Sequence, residues 1–253
     1  MPFFEYKGIK IFYQIFEKEP TKAIIFIHGS GESSYTWKEQ LVDLNLDYSV
    51  VAIDLPFHGK SGDFKKLSLD LYVDVINNMI EFLSLREVIL AGHSLGGAII
   101  QSYYFKHPEK VSGLILCSTG AKLRVSKVIL NATKNNFEEF LESIPTGAFY
   151  RKTSKDIIEE YIEEAEKTEP KVVHADFSIC DKFDVMKKVK NIRVPCLIIV
   201  GKFDNLTPVK YSQYFKDNIE NSKLVVIDKA GHMVMLEKPE EFNTAVREFI
   251  EKM

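Results

Sequence analysis

Val88-Ile89-Leu90-Ala91-Gly92-His93-Ser94-Leu95-Gly96-Gly97 is the stretch on which the reading of this chain turns. A short apolar run ends in Gly-x-Ser-x-Gly, and a helix-compatible segment, Ala98 to Lys106, follows at once. The run reads as a buried strand, and the glycines permit a turn too tight for flanking side chains. A serine on such a strand-to-helix turn points its hydroxyl out of the sheet. The Leu95 amide and the helix N-terminus then lie close to where negative charge would develop on a substrate. Taken alone, the five-residue pattern is equally compatible with a glycine-rich turn that happens to hold a serine, so its surroundings decide.

Upstream, Phe3–Tyr6 and Ile9–Phe16 flank Lys7-Gly8 as the two arms of a hairpin. Ala23–Ile27 is apolar throughout, as a strand covered on both faces must be, and runs into His28-Gly29-Ser30-Gly31, a loop with exposed amides. Helical spacing follows over 35–44, a strand over 48–53, a long polar turn over 54–62 and an amphipathic helix over 69–83. Downstream come a strand at 111–117, one at 194–200 that leads into Gly201-Lys202-Phe203-Asp204, a helix at 208–218, a strand at 223–227 and a closing helix at 237–252. Near-continuous apolar strands alternating with helices predict an α/β protein whose central sheet is mostly parallel and flanked by helices on both faces. The alternation lapses over 121–191, where helical segments are expected at 135–142, 154–167 and 183–190. The expected organisation is therefore a core from 1–120 and 192–253 with an inserted helical cap at 121–191.

Composition excludes several classes of function. A chain of 253 residues, 45% of them hydrophobic, can bury a large core. A formal net charge of -3 with Lys and Glu intermixed gives neither a nucleic-acid footprint nor a polybasic membrane patch. Cys117, Cys180 and Cys196 are scattered and odd in number, which fits buried free thiols in a reducing compartment. No stretch reaches the roughly 20 apolar residues of a membrane span, and no signal-peptide pattern opens the chain, so a cytoplasmic protein is expected. No cluster of His, Cys and carboxylates has metal spacing, and no cofactor is expected. The oligomeric state is not encoded legibly.

In open parallel sheets, ligands bind beyond the carboxyl ends of the strands. The Gly29–Gly31 loop, Ser94, Asp204 and His232 all sit there. A serine hydroxyl needs an imidazole to take its proton, and the imidazole needs a carboxylate to fix its tautomer and stabilise its charged form. The chain order Ser, Asp, His supplies all three. Among six histidines, His28 reads as a loop buttress, His93 points away from Ser94, His58 lies in a turn, His107 precedes a proline and His174 sits in the cap. His232 alone follows the final strand. Asp54 and Asp228 compete with Asp204, but Asp54 is better placed to stabilise its own turn, and Asp228 lies too near His232 in sequence to reach around it.

With these motifs in view, the chain resembles the α/β-hydrolase superfamily. His28-Gly29-Ser30-Gly31, Asp54-Leu55-Pro56-Phe57-His58-Gly59-Lys60-Ser61, Gly92-His93-Ser94-Leu95-Gly96-Gly97, Gly201-Lys202-Phe203-Asp204 and Gly231-His232 carry the likeness. The resemblance implies Ser94 as nucleophile, His232 as general base and acid, Asp204 as its orienting carboxylate, and an oxyanion hole from the Ser30 and Leu95 amides. Relatives that cleave carbon–halogen bonds or open epoxides carry aspartate where this chain has Ser94. The expected activity is hydrolysis of carboxylic esters with small to medium acyl chains, as in carboxylesterases and monoacylglycerol lipases, with a small-molecule ester as the partner. Alternatives are carbon–carbon bond hydrolysis, another serine-type chemistry of the superfamily, or a ligand-sensing protein that retains the triad. Gly29, Phe137, Phe140, Phe149, Tyr150 and Phe177 are the expected substrate-binding residues.

Overall fold

The computed structural model describes residues 2–253. Eight strands form one sheet: β1 (Phe3–Tyr6), β2 (Ile9–Phe16), β3 (Lys22–Ile27), β4 (Ser49–Ile53), β5 (Glu87–His93), β6 (Gly113–Cys117), β7 (Cys196–Gly201) and β8 (Ser222–Ile227), in the order β1-β2-β4-β3-β5-β6-β7-β8. The hairpin β1–β2 and the β2–β4 pair are antiparallel; every other pair is parallel. The central strands are buried along almost their whole length, as expected of parallel strands covered on both faces.

Alternate residues serve the two faces. Ile25 and Ile27 of β3 point into one core with Leu90, Leu114 and Ile198. Helices α2 (Leu69–Phe82), α3 (Leu95–Lys106) and α8 (Val209–Asn218) close that core through Tyr72, Ile76, Ile99, Tyr103 and Phe215. Ile24 and Phe26 point to the other face, which is closed by Trp37, by Leu41 of α1 (Lys38–Asp43), and by Phe242, Val246 and Phe249 of α10 (Pro239–Ile250). A short helix, α9 (Val234–Glu237), precedes α10. The free thiols Cys117, Cys180 and Cys196 are all buried.

Between β6 and β7 the chain leaves the sheet and forms α4 (Lys127–Asn135), α5 (Phe137–Gly147), α6 (Lys155–Ala165) and α7 (Pro170–Lys182). Three local expectations need correction. The helix expected at 35–44 is a 3₁₀ turn, Ser34–Trp37, running into α1. The helix expected at 183–190 is a 3₁₀ segment, Met186–Asn191, because Phe183 and Val185 are drawn into extended backbone hydrogen bonds with Leu123 and Ala121. Helices α4 and α7 fall outside the expected segments, although Pro170 at the first turn and the buried spacing Val172, Val173, Asp176, Cys180 mark α7 in retrospect. Among the described residues no helix is long and apolar enough to cross a membrane.

Candidate active site

Ser94 closes the turn between β5 and α3 at φ 49°, ψ −109°, a conformation that costs a non-glycine residue about 1–3 kcal/mol. The surroundings hold it there. Its amide donates to the Cys117 carbonyl at 3.0 Å, and its own carbonyl accepts from the Gly97 amide at 3.0 Å and from Thr119 Oγ1 at 2.8 Å. A Cβ on Gly92 would run into the Gly96 backbone, and one on Gly96 into the Ile27 carbonyl. The glycines thus let α3 start hard against the end of β3 and the loop that follows it.

Asp204 follows β7 and is fully hydrogen-bonded. Its Oδ1 accepts the amides of Leu206 (2.9 Å) and Thr207 (2.8 Å), and its Oδ2 accepts Thr207 Oγ1 (2.8 Å) and His232 Nδ1 (2.9 Å). Burial pushes the Asp204 carboxyl upward, but the His232 imidazole and the Thr207 hydrogen bonds outweigh it and hold the group well below the ordinary carboxylate range. Burial likewise pushes His232 down, and the Asp204 charge and hydrogen bond, with smaller help from Glu32 and Glu237, leave it raised above the usual value. With Asp204 ionised, Nδ1 of His232 carries the hydrogen it donates, so Nε2 presents its lone pair. The His232 backbone is fixed too, its amide donating to the Ala148 carbonyl at 2.7 Å. Asp228 pairs with Lys202 on the surface instead, and Asp54 accepts the amides of Ser34 and Lys60 around its own turn.

Ser94 and His232 open onto one cavity of about 410 Å³, together with Ser30, Phe140, Ile144 and Phe177. Among the described residues no hydrogen bond joins Ser94 Oγ to His232; such contacts commonly tighten only when substrate is in place. Neither the Ser30 nor the Leu95 amide has a protein partner among the described residues. Of the expected substrate-binding residues, Phe140 and Phe177 line the cavity, and Phe137, Phe149, Tyr150 and Gly29 do not. Phe137 stacks on the outer side of Phe140, with ring centres 5.6 Å apart. Phe149 is turned inward onto Tyr161 (5.4 Å), and Tyr150 lies on Phe203 (4.7 Å), both toward a second cavity of about 860 Å³ beside α6. Gly29 is committed below the loop, its amide donating to Glu32.

Two buried carboxylates beside the Ser30 loop were not anticipated. Glu32 Oε2 accepts the Gly29 amide (2.8 Å), Thr36 Oγ1 (3.1 Å) and His93 Nδ1 (3.1 Å), while Nε2 of His93 meets the His232 carbonyl at 3.2 Å. Burial would raise the Glu32 carboxyl, but the interaction with His93 and the Gly29 hydrogen bond bring it down to about 2. Asp176, from α7, accepts the Gly31 amide (3.0 Å), His58 Nε2 (2.9 Å) and the Tyr72 hydroxyl (2.7 Å). The neighbouring rings of His28 and His58 are pushed in opposite directions by their partners. His28 accepts from the Leu55 amide and donates to the Gly29 carbonyl, so it is neutral; burial, then the His58 charge, lower it to about 4. Both nitrogens of His58 face acceptors, Pro56 O and Asp176, and despite burial these raise it. The one sequence signal for Glu32 that went unread is its place three residues beyond Gly29, where an acid can cap the loop. Asp176 had no signal beyond its place in the α7 stripe. Among the described residues no group of His, Cys and carboxylates is arranged to hold a metal.

Comparison with known proteins places this fold. The profile of the alpha/beta hydrolase family matches residues 24–245, and the chain belongs to that family. A solved thermophilic esterase superposes with a TM-score of 0.89 at 36% identity, over 99% of this chain and 97% of that one. Pimeloyl-[acyl-carrier protein] methyl ester esterase of Wigglesworthia glossinidia brevipalpis is 28% identical, over 90% of this chain and 93% of its own length. Proline iminopeptidase of Saccharolobus solfataricus is 25% identical, over 97% and 90%. Esterases and other hydrolases are thus among the relatives of this chain.

Proposed function

We propose that the protein hydrolyses carboxylic esters of small to medium acyl chains through an acyl-enzyme on Ser94. The observation that carries this reading is the buried, ionised Asp204 hydrogen-bonded to His232 Nδ1 at 2.9 Å, with the imidazole and Ser94 opening on one cavity. Ser94 Oγ attacks the ester carbonyl as His232 Nε2 takes its proton. The imidazolium passes that proton to the departing alcohol, and water activated by the same imidazole then releases the acid. The amides of Ser30 and Leu95, both without protein partners among the described residues, take the developing oxyanion; each such donor is worth about 10²–10³ in rate. The helical block 121–191 acts as the cap over this core, and Phe140, Ile144 and Phe177 give the cavity an apolar wall for the acyl chain. A volume of about 410 Å³ lies toward the lower end of small-molecule sites and suits short esters. The esterases among the relatives support ester over amide substrates.

Steady-state hydrolysis of p-nitrophenyl butyrate tests the reading. Sustained turnover that disappears in Ser94→Ala is expected. A single stoichiometric burst with no turnover would favour a ligand-sensing role, and full activity in Ser94→Ala would refute the mechanism.

A further inference from the structure

The loop that presents Ser30 is roofed by a single stripe of α7. Val173 lies against Gly31 so closely that a Cβ on that glycine would come within 2.9 Å of Val173 Cγ2. One turn on, Asp176 accepts the Gly31 amide at 3.0 Å, and one turn further Cys180 Sγ sits 3.6 Å from Ser30 Oγ. From below, Glu32 accepts the Gly29 amide at 2.8 Å. Two carboxylates therefore bind the amides on either side of Ser30, and the Ser30 amide between them is left without a protein partner among the described residues. Gly31, at φ +71°, supplies the left-handed turn that lets its amide point away from the cavity toward Asp176.

Asp176 is an expensive way to anchor a helix. It is completely buried, and a buried ion pair is commonly no more stabilising than an apolar packing of the same volume. Its three donors, Gly31 N, His58 Nε2 and Tyr72 Oη, nevertheless converge on one carboxylate. What the carboxylate supplies that a leucine would not is direction. It fixes one amide of the loop by a charge-assisted hydrogen bond and ties that loop to the His58 turn and to α2.

We propose that Asp176 is a positioning residue for the oxyanion hole: the helical block reaches over the loop and, opposite Glu32, sets the peptide planes around Ser30 so that its amide faces the reacting carbonyl. This rests on the reading of Ser30 as an oxyanion donor to an ester attacked by Ser94. The loop is thus assembled by two separate parts of the chain, and it keeps its geometry only while α7 is seated.

The test compares Asp176→Asn with Tyr72→Phe, which loses only the bond to the opposite carboxylate oxygen, Oδ1. A misaimed donor is expected to lower kcat of Asp176→Asn by about 10–100-fold, short of the full loss of a donor, with KM within about threefold, since ground-state binding does not use it. The Ki of an aryl trifluoromethyl ketone, whose adduct with Ser94 carries an oxyanion, should rise in parallel, and that of the matching methyl carbinol should stay put. Tyr72→Phe should lower the Tm yet keep kcat within about threefold. Unchanged kcat in Asp176→Asn, equal weakening of ketone and carbinol, or an equal kcat loss in Tyr72→Phe would each overturn the proposal. Amide exchange in the unaltered protein gives a second readout that needs no variant to fold. The Gly29 and Gly31 amides should be protected and the Ser30 amide should become protected only on adding the ketone; a Ser30 amide already protected in the free protein would overturn it. Ester hydrolysis surviving in Ser94→Ala would instead remove the acyl-transfer reading itself.

Discussion

Replacing Asp204 by Asn changes one atom and reverses the logic of the imidazole beside it. The side-chain oxygen of asparagine can keep the amides of Leu206 and Thr207, at 2.9 and 2.8 Å, so the loop after β7 has reason to stay folded. The NH₂ group then faces His232 Nδ1, where Oδ2 accepted at 2.9 Å. Two donors cannot share that bond, so Nδ1 must become the acceptor and the ring hydrogen moves to Nε2, the atom that should receive the Ser94 proton. A tautomer error of this kind costs about 10⁴ in kcat, or about 5 kcal/mol of barrier at 1.36 kcal/mol per tenfold. The charge matters separately. Asp204 is the main influence that raises His232 against burial, with Glu32 and Glu237 adding less. Hydrolysis needs the imidazole neutral, so the acidic limb of the kcat/KM profile belongs above the ordinary histidine value of 6.5 in the unaltered protein and should move to lower pH in Asp204→Asn. The assay is p-nitrophenyl butyrate hydrolysis from pH 4.5 to 9, with circular dichroism to check folding. A folded variant that loses less than about tenfold, or whose acidic limb stays where it was, would refute the assignment of the carboxylate.

Three further outcomes follow from the same geometry. Glu32 falls from 4.5 to about 2 on folding, so it contributes about 3 kcal/mol of stability that is present above pH 4.5 and is lost as pH falls toward 2. Urea unfolding at pH 6 and pH 3 should show a correspondingly smaller pH effect in Glu32→Gln, and an unaltered difference would contradict this role for Glu32. Gly96→Ala should cost about 2–3 kcal/mol or more through overpacking against the Ile27 carbonyl, read as a lowered Tm; a neutral result would mean that α3 does not start so close to β3. Phe177→Ala, on the cavity wall against Phe140, should raise the ratio of kcat/KM for p-nitrophenyl hexanoate over acetate by about tenfold, and an unmoved ratio would place the acyl chain elsewhere.

The sheet was legible because its signal is local. Ile24, Ile25, Phe26 and Ile27 are all buried, and a run with no polar face leaves a parallel strand as the simplest reading. Strand ends drew attention to the candidate site for the same reason: Ser94, Asp204 and His232 each come directly after such a run or the short turn beyond it. The helical block was harder. Helices α4 to α7 pack on one another and on α3, and Phe137 and Phe149 do not line the cavity although Phe140 and Ala148 nearby do. A 3.6-residue period tells which residues share a face, but not which way that face is turned. Asp176 was invisible for another reason. Its meaning lies in meeting Gly31, His58 and Tyr72, residues 104 to 145 positions away, and a lone acid in a helix carries no sign of such partners. Glu32 stood nearer to view, since it caps the same loop that drew attention to Ser30.

Everything proposed for this site turns on one hydroxyl. Incubation with a fluorophosphonate followed by peptide mass spectrometry asks about it directly. One equivalent of phosphonyl group is expected on the peptide carrying Ser94, with loss of ester hydrolysis in proportion and no labelling of Ser94→Ala. Stoichiometric labelling at a different residue, or hydrolysis that persists when Ser94 is fully modified, would contradict this role for Ser94.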